Sequence, residues 1–286
     1  MSLLATLFIF LAPIMPVERV NVSVVDVSTG APISYVTIVS PSFQGVADES
    51  GHISLPFIND TITFQCVGYI SYRATIKQIS MHGNSVTVML TPKVFKIDEI
   101  NVTSRRVRKV SVGFYKKDVF STYHSSGGTQ LAVYIPSKQQ YTGLPVGSVN
   151  YYIRKWGNPT RKFRVHLYAA HKGKDGGPGE ELLPIAVYGQ ANQGDEWVNV
   201  RVRQYGVKFP DDGLFAAIEF LPDPIYDGEN PYKNHDLNLG GNRENQNEGY
   251  TWWFYLNRTH WTQSLPTHPR QYVGNAMIYV ELIKEK

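Results

Sequence analysis

Apolar and polar positions follow two rhythms along this chain of 286 residues. From Val20 to Leu90 short alternating runs are broken by turn clusters about every ten residues. Val20-Asn21-Val22-Ser23-Val24-Val25 alternates and stops at Asp26, and Ser28-Thr29-Gly30-Ala31-Pro32 reads as a turn. A β-branched run leads to Val39, and Asp48-Glu49-Ser50-Gly51 turns into the alternating His52-Ile53-Ser54-Leu55. Asn59-Asp60 precedes Ile62-Thr63-Phe64-Gln65-Cys66-Val67, and Ser85 to Leu90 alternates again. About seven short strands at this spacing predict a small β-sandwich over 18–103.

Beyond a basic stretch the rhythm slows. Strands are predicted at 129–135, 148–154, 162–169, 196–202, 214–220, 250–256 and 276–282, separated by long loops rich in Gly, Pro and Asn. In the 196–202 strand Trp197, Asn199 and Arg201 face one way, and Val198, Val200 and Val202 the other. No amphipathic helix of ten or more residues competes with this reading. The expectation is an all-β chain in which the N-terminal sandwich is followed by a larger, jelly-roll-like sandwich over 112–286. The run Arg105, Arg106, Arg108, Lys109 falls between the two, and 104–111 is expected to be a solvated basic linker.

Three motifs occur in order in the first region: Asp26-x-x-Thr29-Gly30-x-Pro32-Ile33, then Gly45-Val46-Ala47-Asp48-x-x-Gly51-x-Ile53-x-Leu55, then Phe64-x-x-Val67-Gly68-Tyr69. Together they resemble the carboxypeptidase regulatory-like domain, a transthyretin-like (Ig-like) sandwich common in exported proteins of Bacteroidetes-type bacteria. Lys96 to Val102 resembles the strand that follows that module at the N-terminus of outer-membrane receptors. Tyr35 stands where the family usually has a small residue, and Val22 where it usually has Gly. The roughly 180 residues after Val102 are too few for a receptor barrel at ~10 residues per strand plus loops. The resemblance therefore implies the fold and an exported setting, and no peptidase activity. The motif residues have turn roles: Gly30 and Gly51 for positive φ, Pro32 to set the next strand, Gly68 for a bulge or bend. The segments Phe163 to Tyr168, Pro178 to Leu183, Trp197 to Val200 and Leu214 to Phe220 resemble jelly-roll domains of bacterial surface proteins.

Composition sharpens the setting. Residues 1–16 are apolar, too short to span a bilayer and of signal-peptide length. The protein is therefore expected in the periplasm, at the outer-membrane surface or outside the cell, with no transmembrane span. Cys66 is the only cysteine, which excludes an internal disulfide and a four-cysteine zinc site. It reads as a small buried hydrophobe. The net charge of +4 shows no basic stripe interleaved with aromatics, so nucleic acid is not expected as a partner. Eighteen Tyr and five Trp suit pleated sheets, and also wet aromatic surfaces that meet carbohydrate or protein.

The sequence holds no HExxH, no nucleophile elbow, no P-loop and no dinucleotide fingerprint. Asp195, Glu196 and Glu219 are the carboxylates a glycosidase reading would use, if the fold brought two of them together. The loop 221–249 carries Asp223, Asp227, Glu229 and Asp236, oxygen ligands of the type calcium takes but without EF-hand spacing, so a solvated polar loop is favoured and no cofactor is expected. Trp252 and Trp253 point to opposite faces of their strand, so one belongs to the core and the other is a candidate stacking platform for a sugar ring or an interface anchor. Tyr226, Tyr232 and Trp156 are further aromatic candidates in loops. The expected function is an exported envelope or surface protein that binds or assembles and does not catalyse. Glycan or an envelope protein is its expected partner, through the C-terminal sandwich. The alternative is an extracytoplasmic hydrolase of polysaccharide or peptide.

Overall fold

The computed structural model describes residues 19–79, 85–95, 107–222, 236–244, 248–258, 260–265 and 274–285. The expected signal segment 1–16 and the Lys96 to Val102 strand lie outside them. The chain is all-β, and its sheets pair as sandwiches.

In the first body, Arg19–Asp26 lies between His52–Pro56 and Ser85–Leu90, antiparallel to the former and parallel to the latter. The facing sheet runs Gln44–Val46, Thr37–Val39, Thr61–Gln65, Tyr72–Thr75. Alternation sends Val20, Val22 and Val24 inward, where they meet Leu55, Ile38, Ile62, Phe64 and Leu90 in one core. The motif residues build its turns. Asp26 Oδ1 accepts from the backbone N–H groups of Ser28 and Thr29 at 2.7 and 3.0 Å, and Tyr69 donates its hydroxyl to Asp26 Oδ2 at 2.9 Å. Gly51 has φ 75°, and a Cβ there would come within 2.8 Å of the Val24 carbonyl.

The second body has two larger sheets around a core that includes Leu131, Val133, Val149, Tyr151, Val165, Leu167, Ile218 and Val280. One sheet runs Pro178–Glu181, Phe163–Ala170, Leu214–Phe220, Gln130–Ile135, Thr251–Phe254, Thr262–Gln263, with Val187–Gly189 also on Phe163–Ala170. We call it the capped sheet, because the first body sits on its outer surface. In the other, open sheet, Val146–Ile153 is flanked by Glu196–Arg201 and Ile278–Glu285. Leu239–Asn242, Val119–Tyr123 and Asn275–Ala276 extend that sheet at one end.

The reading of 104–111 as a solvated linker does not hold for its described part. Val107–Gly113 is an edge strand paired with Ile278–Glu285, with Val112 buried and Lys109 reaching Glu281. A distant partner strand supplies the ladder, which local composition cannot reveal.

The two bodies touch closely. Gly68 has φ 88°, and a Cβ there would come within 2.8 Å of the Pro184 carbonyl, so the glycine serves an approach between bodies and not only a local bend. Tyr35 has φ 56°, a conformation that side-chain-bearing residues rarely adopt. Its ring lies 5.8 Å from that of Tyr188 in the second body. Lys162 pairs with Glu49 across the same junction.

Candidate functional site

Period-two alternation on the capped sheet sends Val165 and Leu167 into the core and Arg164, His166 and Tyr168 outward. On the neighbouring strand Glu219 also points outward, opposite Arg164 in register. The first body covers this patch, so Arg164, His166 and Glu219 are each 2% exposed or less. Glu219 Oε2 accepts from Arg164 Nη1 at 3.1 Å and from His166 Nε2 at 2.9 Å. His166 Nδ1 meets Glu181 Oε2 at 2.5 Å, and Glu181 Oε1 accepts from the backbone N–H groups of Leu167 and Leu183. The second arm of Arg164 reaches the first body, where Nη2 donates to the Tyr35 carbonyl at 2.6 Å.

This network fixes the protonation states. Burial opposes the charge on His166, but the Glu181 carboxylate and the hydrogen bonds to both glutamates prevail and hold its pKa up at about 9. Burial likewise pushes Glu219 up, and Arg164 and His166 overcome it and hold the carboxyl below its ordinary value. The imidazolium is thus pinned between two carboxylates. Beside the network a cleft of about 420 Å³ opens between the bodies. Arg164, His166, Tyr168 and Glu219 line it from the capped sheet, and Cys66 and Tyr69 from the first body. Cys66 sits just past its strand, partly buried, and burial pushes its thiol up. A nucleophilic cysteine needs the opposite shift.

The outer surface of the open sheet is built differently. Across Glu196–Arg201, Val146–Ile153 and Ile278–Glu285 the register sets Asn150 between Asn199 and Tyr279, and Ser148 between Arg201 and Glu281. Asn199 Nδ2 lies 2.7 Å from Asn150 Oδ1 and 2.9 Å from Ser148 Oγ. Ser148 donates to Glu281 at 2.8 Å, as does Lys109. Burial would raise the Glu281 carboxyl, but those two donors keep it low. Above this ladder Trp197 packs edge-on against Tyr279 at 4.8 Å and Tyr152 at 5.3 Å, and Tyr115, 47% exposed, packs on Tyr279 at 6.0 Å. Asn199, Arg201 and Lys109 are exposed.

The residues named from sequence are scattered. Trp252 and Trp253 do face opposite ways. Trp252 is buried on the outer surface of the capped sheet, edge-on to Phe215 and covered by Gly177. Trp253 is half-buried against the main core, edge-on to Tyr123 and stacked on Tyr255. Neither stands alone in solvent, whereas Trp156 does, at 60% exposed. Tyr226, Tyr232, Asp223, Asp227 and Glu229 lie outside the described residues. Asp236 lies 3.3 Å from His124 and 3.7 Å from Arg161. Among the described residues no three His, Cys, Asp or Glu gather as metal ligands. The glycosidase set does not assemble either. Asp195 binds Arg154 and Glu196 accepts three backbone N–H groups in its own loop, while Glu219 is on the other sheet. The cleft network was missed, although a lone Glu in Leu214-Phe215-Ala216-Ala217-Ile218-Glu219-Phe220 was a signal that this strand buries a charge.

No family model matches the chain, and no curated protein matches it. Among solved structures, a clostridial cysteine protease after propeptide cleavage is similar at 12% identity and a TM-score of 0.42. The likeness covers 84% of this chain, which spans about half (51%) of that one. A carbohydrate-binding module of the β-sandwich superfamily is similar at 11% identity and a TM-score of 0.20, over 94% of this chain and 98% of its own. Neither supplies a residue role.

Proposed function

We propose that this chain is an exported cell-envelope or surface protein that binds glycan without catalysing a reaction, through the open sheet of its second sandwich. One observation carries the reading: the aromatic cluster Trp197, Tyr279 and Tyr115 stands beside the exposed Asn199 amide and the partly exposed Glu281 carboxylate, both held in place by hydrogen bonds to the buried Asn150 and Ser148. Sugar rings present apolar C–H faces to aromatic rings and hydroxyls to amides and carboxylates. Side chains already tied to one another lose little freedom on binding, so these groups are preorganised. The placement in the envelope is supported by the apolar run 1–16 and by the resemblance to an exported module. A non-catalytic role is supported by the charge network. His166 stays protonated, Glu219 stays ionised and the Cys66 thiol is raised, so none of the three is poised for proton transfer or attack near neutral pH.

The test is a glycan-array screen of the full chain, followed by calorimetric titration of the best ligand. The reading expects the Trp197→Ala variant to lose at least about tenfold in affinity while its melting curve stays cooperative. Ligand binding that is indifferent to Trp197→Ala and Asn199→Ala, or turnover of the bound glycan, would overturn it.

A further inference from the structure

The open sheet carries unmatched charge of one sign at both ends of its aromatic cluster. At the Trp197 end, the ammonium of Lys117 sits 5.2 Å from the centre of the Tyr152 ring, and Tyr152 is the register partner of Trp197. At the other end Arg201 shares the outward side of its strand with Trp197 and Asn199. Lys117 and Arg201 are exposed, and neither makes an ion pair among the described residues, Lys117 with its chain neighbour Asp118 included. The carboxylates around the cluster are already matched. Glu281 is held by Lys109 and Ser148, Asp195 by Arg154 and Lys155, and Glu196 by backbone N–H groups.

Beyond Asn199 and Arg201 the surface runs into a groove of about 510 Å³ between two edge strands, Val187–Gly189 of the capped sheet and Glu196–Arg201 of the open sheet. Asn199 and Arg201 line the groove and also belong to the outer surface, so the two are continuous. Exposed Gln190 and Gln204 and half-buried Tyr205 add amide and phenol groups suited to hydroxyls. No Asp or Glu lines the groove, and Arg201 is its only charged side chain. From Trp197 to Arg201 the strand advances about 13 Å. One acidic group cannot meet both cations over that span, and a single sugar ring cannot reach from the aromatic cluster into the groove.

Given the glycan reading of the open sheet, on which this rests, we propose that the ligand is an acidic glycan chain several rings long. Acidic groups on the chain meet Lys117 and Arg201, its rings cross the aromatic cluster, and it continues into the groove past Gln204. Because both cations stay in water, they contribute discrimination against neutral chains and faster association more than total affinity.

The test titrates the native full chain by calorimetry with two acidic tetrasaccharides, one of galacturonic acid and one of chondroitin sulfate, whose carboxylates and sulfates separate the two sources of acid. Maltotetraose and chitotetraose are the neutral arms. At least one acidic chain is expected to bind about tenfold tighter than both neutral chains at low salt, and to lose that advantage as NaCl rises to about 0.5 M. Lys117→Gln and Arg201→Gln should each weaken it by about threefold or more, with melting temperature unchanged because both side chains are exposed. Gln204→Trp, which fills the groove, should weaken the acidic tetrasaccharide more than the disaccharide of the same series. Acidic chains that bind no tighter than neutral ones, that fail to bind at about 10 mM, or that ignore both charge variants overturn the inference. Polyglutamate of equal charge binding as well would also overturn it, since charge alone would then suffice. These failures leave the glycan reading standing, because Trp197→Ala decides that reading. Acidic-chain binding indifferent to Trp197→Ala overturns both.

Discussion

The two outer surfaces of the second sandwich use similar residue types to opposite ends. On the capped sheet a guanidinium, an imidazolium and a carboxylate lie under the first body, and each is almost fully removed from water. On the open sheet Lys109, Arg201 and Asn199 stay in solvent, Lys109 bonded to Glu281 and Asn199 to the buried Asn150. The same alternation of a half-buried strand produced both. What differs is the cover. Charges that are covered become expensive to separate and so hold parts together, and charges left open remain available for recognition.

That contrast can be broken experimentally. The largest effect is expected from Arg164→Ala, which leaves Glu219 buried without its main partner and cuts the tether to the Tyr35 carbonyl. Denaturant unfolding should show a loss of roughly 3–5 kcal/mol. The double variant Arg164→Met with Glu219→Met should recover part of it, since no carboxylate is then stranded and His166 keeps Glu181 while losing its bond to Glu219. A loss in Arg164→Ala no larger than that of a surface substitution would remove the tether from the argument.

Next comes pH. The folded state raises the pKa of His166 from the model-peptide 6.5 to about 9. A raised pKa means that the folded protein holds a proton the unfolded chain gives up. The stabilisation is therefore complete below about pH 6.5 and fades as pH rises through about 9, on the order of 3 kcal/mol in all. Glu219 acts in the other direction. Its lowered pKa adds stability above the ordinary carboxylate range, and that part is lost as pH falls. Melting temperature should hence be highest at mildly acidic to neutral pH, and His166→Gln should flatten the alkaline limb. A flat melting temperature from pH 7 to 10 in the native chain would contradict this.

Smaller effects belong to the open surface. Asn199→Ala should cost about 0.5–1.5 kcal/mol of glycan affinity by calorimetry, with little change in melting temperature, because its exposed amide is part of a row and not of a core. Trp156→Ala, on an exposed loop ring, should change stability by within about 0.5 kcal/mol. If Trp156→Ala proved more damaging to binding than Asn199→Ala, the ligand surface would have to move to that loop.

Much of this fold was legible in the residues. Val20, Val22 and Val24 alternate with polar neighbours and are the inward positions of their strand, and the strand at Leu214–Phe220 has the bounds its apolar run implies. Trp197, Asn199 and Arg201 were already placed on one surface. Local signals failed where the partner was remote. The basic stretch 104–111 looks like a linker until Ile278–Glu285 lies beside its described part, within Val107–Gly113. Which of Trp252 and Trp253 is covered is undecided until Phe215 and Gly177 close over Trp252. Gly68 and Tyr35 carry backbone conformations whose reason lies at the junction between the bodies.

By itself, then, the order of residues determined strand periodicity, turn chemistry and the all-β class, since these follow from φ preferences and from which side of a pleat each side chain takes. The tertiary structure decided which outward-facing residues stay outward. A pleat assigns Arg164 and Asn199 alike to outer surfaces. Only the docking of one sandwich on the other, more than a hundred residues away in the chain, turned the first into a buried clamp and left the second in water.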